Sequence, residues 1–353
     1  QRLSRGLGDV YKRQLISLFV ASSLILLDMF LVRAGIKNLR ESPQTLHKQS
    51  VSRFGGIAIF LSLLIASNIS DESEYEFLRN LLLCTSPVFL VGFIDDMKIS
   101  IPPFVRLMLI IPSSLLCYYF LGTKAESLEI PFIDLLFQYE IFVIIFICIA
   151  LSGMINAFNM LDGINGLLLL FCLSTCISII VFPQSSTSLE FYYYLVALFS
   201  SILGIFILNF PLGRIFLGDG GAYFLGAAIS VGLIKYYQSN DLSPWYVLLM
   251  LIYPLTDVIF SIARRIISKY SALEPDNKHL HHLIYRRVKK MGFSSENLNH
   301  SLVTLLTFVL YFPFLLGANY FSQDTSMLQI LCLIFFMFYL FIYFLLAPKD
   351  FFS

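Results

Sequence analysis

Asn156-Ala157-Phe158-Asn159-Met160-Leu161-Asp162-Gly163-Ile164-Asn165-Gly166-Leu167 is the stretch on which the reading of this chain turns. An apolar run, Ile141–Ile155, leads into it, and another, Leu167–Phe182, leads out. Four amide or carboxylate side chains thus sit where two apolar segments meet, and placing polar groups there is costly. A helix end needs one such residue as a cap, not four. Asn156, Asn159 and Asp162 recur at a spacing of three, which puts them on one side of a helix end. Gly163 and Gly166 let the backbone turn tightly or approach a ligand.

Composition sets the frame around this motif. Of 353 residues, 58% are hydrophobic and 13% charged, against roughly 25% charged in an ordinary soluble domain. A hydrocarbon core of about 30 Å needs roughly 20 apolar residues per helix, and about eleven segments meet that need. They are Leu15–Val32, Gly55–Ile69, Leu78–Ile94, Pro102–Leu121, Ile141–Ile155, Leu167–Phe182, Tyr192–Phe210, Ala222–Tyr237, Trp245–Ile267, Leu302–Phe321 and Met327–Leu346. The expected fold is an all-α polytopic membrane protein, a bundle of about 10–11 transmembrane helices with cytoplasmic active-site loops. Residues 15–348 read as one integral-membrane domain, and the polar, basic stretch 1–14 reads as a non-native leader. A formal charge of +1 gives no electrostatic case for nucleic acid. The six cysteines lie within or beside apolar runs, which predicts buried thiols.

Charge placement orients the bundle. The segment 33–54 carries Arg33, Lys37, Arg40, Lys48 and Arg53 against Glu41 alone, so it is expected on the cytoplasmic side. Counting spans from there puts Asp95-Asp96, Asn156–Asn165, Asn209–Asp219 and His279–His282 on that same side. One polar site at the cytoplasmic mouth of the bundle accounts for all four.

The residue types indicate the chemistry. Adjacent carboxylates such as Asp95-Asp96 resist joint ionisation unless a cation is present. The oxygen-rich set Asp95, Asp96, Asn159, Asp162 and Asp219 suits Mg²⁺, with Mn²⁺ the alternative. Phe216-Leu217-Gly218-Asp219-Gly220-Gly221 places a carboxylate among glycines whose amides can approach phosphate at a helix start. Phe216 is a candidate to stack on a base. His279-Leu280-His281-His282 lies between Lys278 and Arg286-Arg287. Adjacent histidines with no cysteine suit zinc poorly; the segment reads as a cationic flap for a polyphosphate, the alternative being a basic loop on anionic headgroups. Lys98 and Arg106 add positive charge for a phosphate-bearing substrate.

In this order, Arg53-Phe54-Gly55-Gly56, Gly92–Asp96, Asn156–Leu167, Asn209 through Gly226, Pro254–Arg265 and the His-x-His-His loop resemble the polyprenyl-phosphate N-acetylhexosaminyl-1-phosphate transferases. The resemblance covers nearly everything after Gln14. It implies transfer of a HexNAc-1-phosphate, GlcNAc in the branch it looks most like, from a UDP-sugar to undecaprenyl phosphate, with release of UMP and dependence on Mg²⁺. It also implies an enzyme of the bacterial plasma membrane that starts a lipid-linked cell-surface polysaccharide, with membrane lipid around it and homodimerisation to be tested. Under the resemblance, Asp95, Asp96 and Asp162 are catalytic, and Asp219 with Asn159 holds the metal. Asn156, Asn165, Asn209, Phe216, Arg106, His279, His281 and His282 meet the substrates. Two positions depart from the family pattern: Asn165, where bacterial members usually carry Asp, and Ser52, where they carry Pro.

Other readings are carried forward. The phospho-MurNAc-pentapeptide transferases are the alternative within the enzyme class. A polytopic transporter, with Asp28 or Asp257 on an ion path, and a structural anchor are the alternatives outside it. Asp257 lies seven residues from Arg264 on one helix face and reads as structural.

Overall fold

The computed structural model describes residues 15–16, 19–20, 22–23, 26, 52–69, 75–97, 101–184, 186–268, 278–293 and 295–347. The leader, most of the first basic loop, Asp28, Lys98 and residues 269–277 lie outside them. The chain forms α1 Gly55–Ile69, α2 Glu76–Asp96, α3 Pro103–Leu121, α4 Glu140–Leu161, α5 Leu167–Val181, α6 Leu189–Asn209, α7 Gly218–Ser239, α8 Pro244–Met250, α9 Ile252–Ile267, α10 Leu280–Lys289, α11 Glu296–Tyr320 and α12 Thr325–Leu346. Among the described residues the one β pairing is an isolated parallel bridge between Ser52 and Ile215.

Among the described residues six helices are long and apolar enough to cross a membrane: α2, α3, α4, α6, α11 and α12. Two more, α1 and α5, are apolar but shorter, and α8 with α9 passes the same test as a pair bent by 78°. The chain is an all-α, multi-pass membrane protein. Every predicted segment from Gly55 onward is helical. One needs correction, because the span expected at Trp245–Ile267 is broken at Leu251. Pro254 has no N–H to give Met250, and the Tyr311 hydroxyl donates to that carbonyl at 2.7 Å instead. The same accounting operates in α2, where Pro87 frees the Leu83 carbonyl and the Ser86 hydroxyl donates to it at 2.8 Å.

At the centre stands α7, almost wholly buried and packed against α1, α2 and α4. In lipid, helices gain little from apolar burial against one another, so close backbone approach carries the association. Glycine makes it available here. A Cβ on Gly56 would lie 2.3 Å from Gly221 Cα, and one on Gly92 would lie 2.6 Å from both the Asp219 carbonyl and Gly220 Cα. These notches let the start of α7 slide between α1 and the end of α2.

Gly92→Ala should therefore force α2 from α7 and destabilise the fold by about 1–3 kcal/mol. Gly153→Ala is the control, since a Cβ there meets nothing within 4 Å. Melting temperatures of both variants in one detergent check this; equal values would show that the seam tolerates a methyl group.

Candidate active site

The ends of α2, α4, α6 and α9 and the starts of α1, α3, α5, α7, α10 and α11 lie at one end of the bundle, and the predicted site residues lie there with them. Their arrangement begins with an unmet need. The first amides of α7 have no partner inside the helix, and Leu217, in the N-cap position, offers no capping side chain. Asp96, the last residue of α2, supplies the cap: its Oδ1 accepts from Asp219 N and its Oδ2 from Gly220 N, each at 2.9 Å. Gly218 adopts φ +80°, and a Cβ there would come within 2.6 Å of Asp96 Oδ2 and 2.4 Å of Arg53 O. Glycine is required by both the conformation and the space.

Arg53 closes this arrangement. Its Nη2 donates to Asp219 Oδ1 at 3.0 Å, and its Nε lies 3.4 Å from Asp96 Oδ1. The strap that carries it is held by Phe216 N donating to Ser52 O at 2.8 Å, and by Gly55 N and Gly56 N donating to Phe216 O and Leu217 O. Asp95 makes a separate pair with Arg106 of α3, at 2.7 Å. Asp162, the C-cap of α4, lies within electrostatic reach of Arg53, Asp219 and Asp96. Burial pushes its carboxyl well above the usual carboxylate range, with the neighbouring carboxylates adding to the effect and Arg53 opposing it.

The central motif is thus brought to the carboxylates, though not every member points there. Asn159 is half-buried one turn before Asp162. Asn156 turns back along its own helix, donating to Ser152 O at 2.8 Å. Asn165 is 5% exposed and meets α11: its N–H donates to His300 Nδ1 at 3.4 Å, and its carbonyl accepts from Thr304 Oγ1 at 2.7 Å. Its side chain packs on Gly213, whose Cβ would lie 2.9 Å from Asn165 Nδ2. Asn209 lies just below, donating to Ile215 O at 2.7 Å, and Phe216 is half-buried beside the strap.

The histidine segment differs most from expectation. Residues 280–289 are a helix, α10, whose apolar side is buried against the bundle. His279 and His281 are 3% and 0% exposed, so the segment is packed rather than flap-like. His282 is half-buried and lies against the central turn, where a Cβ on Gly163 would be 3.2 Å from its Nε2. Burial pulls the imidazoles down, His281 to about 4 and His282 to about 2. Both are neutral at pH 7, so the positive charge of this region belongs to Lys278, Arg286 and Arg287. Asp257 pairs with His279, not with Arg264 as its spacing suggested.

Residues 78–237 match the profile of Glycosyl transferase family 4. An undecaprenyl-phosphate alpha-N-acetylglucosaminyl 1-phosphate transferase of Thermotoga maritima is 32% identical over 69% of this chain and 71% of its own length. The chain belongs to glycosyl transferase family 4. An Escherichia coli K12 member of that name is 29% identical over 92% of this chain and 89% of its own. A Bacillus subtilis relative, a probable undecaprenyl-phosphate N-acetylglucosaminyl 1-phosphate transferase, is 26% identical over 92% and 91%.

Site residues that sequence reasoning did not single out are Arg53 as the bridge between two carboxylates, Asp257 as the partner of His279, and His300 and Thr304 around Asn165. A hint existed for Arg53, which stands at the end of the basic loop immediately before Phe54-Gly55-Gly56.

His281 also gives the folded state a pH dependence. Below the unfolded value of 6.5 the unfolded chain takes up a proton that the buried ring refuses until about 4, so stability is complete above 6.5 and is lost as pH falls. Between pH 7.5 and 5 this residue should remove about 2 kcal/mol. The gap in melting temperature between wild type and His281→Gln should narrow over that range, and a constant gap would contradict a buried neutral imidazole.

Proposed function

We propose that this protein transfers GlcNAc-1-phosphate from UDP-GlcNAc to undecaprenyl phosphate, releasing UMP, at the cytoplasmic face of a bacterial plasma membrane. The observation that carries the reading is the Asp96–Arg53–Asp219 cluster at the glycine-rich start of α7, in a chain whose relatives bear that transferase name.

In the proposed reaction an oxygen of the lipid phosphate attacks the phosphorus that bears the sugar. The bond from that phosphorus to the bridging oxygen of the diphosphate breaks, and the oxygen leaves with the electron pair on the phosphate of UMP. Arg106, held on Asp95, is placed to receive the lipid phosphate where α2 ends and α3 begins. Asp95 orients that phosphate or takes its remaining proton. Asp162, Asn165, Asn209 and Phe216 line the donor side. Asn165 can accept from the uracil N–H through its carbonyl and donate to a ring carbonyl through its NH₂. His279 and His282 border the diphosphate and sugar, with His281 buried behind them.

A divalent ion fits the donor chemistry. Among the described residues no three His, Cys, Asp or Glu side chains are arranged as a closed metal cage. Mg²⁺ commonly uses only one or two protein oxygens together with substrate phosphates. Asp219 and Asn159 would hold it, and it would supply charge neutralisation of the diphosphate. One greasy and one soluble substrate require a site at the interface, and the polar helix ends meet that requirement.

Asp219→Ala should insert in the membrane and lose turnover by several kcal/mol of transition-state stabilisation. A membrane assay with a panel of UDP-HexNAc donors, scored by UMP release, tests both the residue and the sugar. Turnover near the parent rate would remove Asp219 from the site, and no release of UMP with any donor would remove the reading itself. Asn165→Ala should weaken UMP inhibition by roughly ten- to a hundredfold, because an unpaired buried base edge costs about 1–3 kcal/mol. Asn165→Asp should keep much of it. An unchanged inhibition constant beside a lower melting temperature would make Asn165 a packing residue.

A further inference from the structure

Asp257 takes no part in the reaction just described, yet it is 1% exposed and its carboxylate is fully engaged. Its Oδ2 accepts from His279 Nδ1 at 2.8 Å. Its Oδ1 accepts from Leu280 N at 3.2 Å and from the Tyr339 hydroxyl at 2.6 Å. Ser261, one turn further along α9, reaches the same His279 nitrogen at 3.1 Å. Tyr343, one turn along α12 from Tyr339, donates to Lys278 O at 2.9 Å. Residues 278–280 are therefore pinned in succession from two helices, and the cap of α10 is a carboxylate from α9. A charge so deeply buried is tolerated only with partners of this kind.

The pinned residues lead directly into the site. The His279 ring is stacked on His281 with centroids 5.5 Å apart, and lies 5.6 Å from His282. His282 in turn packs on Gly163, next to Asp162. With Nδ1 committed to Asp257, Nε2 is the edge at which His279 can meet a ligand.

We propose that Asp257, backed by Tyr339, is a positioning residue of the transferase, which orients His279 and sets the start of α10 so that the histidine segment stands over the phosphate-bearing part of the donor. This rests on the donor reading above. The uracil side is assigned to Asn165, Asn209 and Phe216 on other elements, so Asp257 should govern affinity for the phosphates and not for the base.

Asp257→Asn tests this, because it keeps the size but presents one acceptor oxygen to three donors. Inhibition constants of uridine and dissociation constants of UDP-GlcNAc would be measured on purified wild type and variant with Mg²⁺ present, with melting temperatures alongside. UDP-GlcNAc binding should weaken by about ten- to a hundredfold and uridine by no more than about twofold. Equal losses for both ligands would reduce Asp257 to a structural role and overturn the proposal, as would unchanged UDP-GlcNAc binding. If Asp257→Asn does not fold, Tyr339→Phe removes one donor and leaves Asp257 on His279. It should show the same preference at about three- to tenfold, and an unselective effect or none would overturn the proposal too. Wild type that binds neither ligand would instead overturn the donor reading, a failure visible without any variant.

Discussion

The carboxylate of Asp96, accepting two backbone amides at the start of α7, is the interaction on which the rest of this end of the molecule depends. It joins residues 123 and 124 positions apart in the chain, and does so where the helix dipole favours a negative charge. The cap can reach only because Gly92 lets α2 touch α7 and because Gly218 leaves room for the carboxylate. Arg53 then binds the same carboxylate and Asp219 together, which brings the start of α1 to the same point. Three helices that would otherwise slide in lipid are fixed by two acids, one arginine and a few missing Cβ atoms.

A second dependence runs through backbone carbonyls. In a bilayer an unmet carbonyl has no water to turn to, so each interruption of a helix needs a replacement donor. Tyr311 provides it at Met250 and allows the 78° bend between α8 and α9. That bend aims α9, and α9 carries Asp257 into the bundle beneath His279. The direction of one broken helix thus decides where the histidine segment sits relative to the turn at Gly163.

Much of this was legible in the chain itself, and what was not has a common cause. Helices from Gly55 onward followed from hydrophobic run length, and the common end of the polar motifs followed from Lys and Arg placement, because both are local signals. The break at Leu251 was not anticipated, since its signal is a single proline in an apolar run and its partner, Tyr311, lies in another helix. Asp257 invited a partner at helical spacing and found one across a loop. The histidines read as cationic because their neighbours in sequence are Lys278, Arg286 and Arg287, whereas the neutrality of His281 and His282 comes from burial against elements far away in the chain. Asn165 carried a visible departure from the pattern of the family it resembles, but nothing local ties it to the residues that hold its peptide, His300 just before the apolar run Leu302–Phe321 and Thr304 within it.

The charges of the cluster bear on how an anionic donor could be admitted. Asp95, Asp96, Asp162 and Asp219 face two arginines, Arg53 and Arg106, each already engaged with a carboxylate. The neighbouring histidines add nothing, since burial keeps His281 and His282 neutral. Burial of Asp162 favours its uncharged form and removes part of the imbalance, but a nucleotide diphosphate that reached the cluster would still meet more carboxylates than arginines, since Lys278, Arg286 and Arg287 stand on the histidine segment and not among them. Like charges brought together in a partly desolvated site are costly, by up to several kcal/mol. On the proposed reaction, a divalent cation held by Asp219 and Asn159 would offset that repulsion, and the donor would bind weakly without it. The neutral histidines then make sense as donors and acceptors of hydrogen bonds that need no counter-charge.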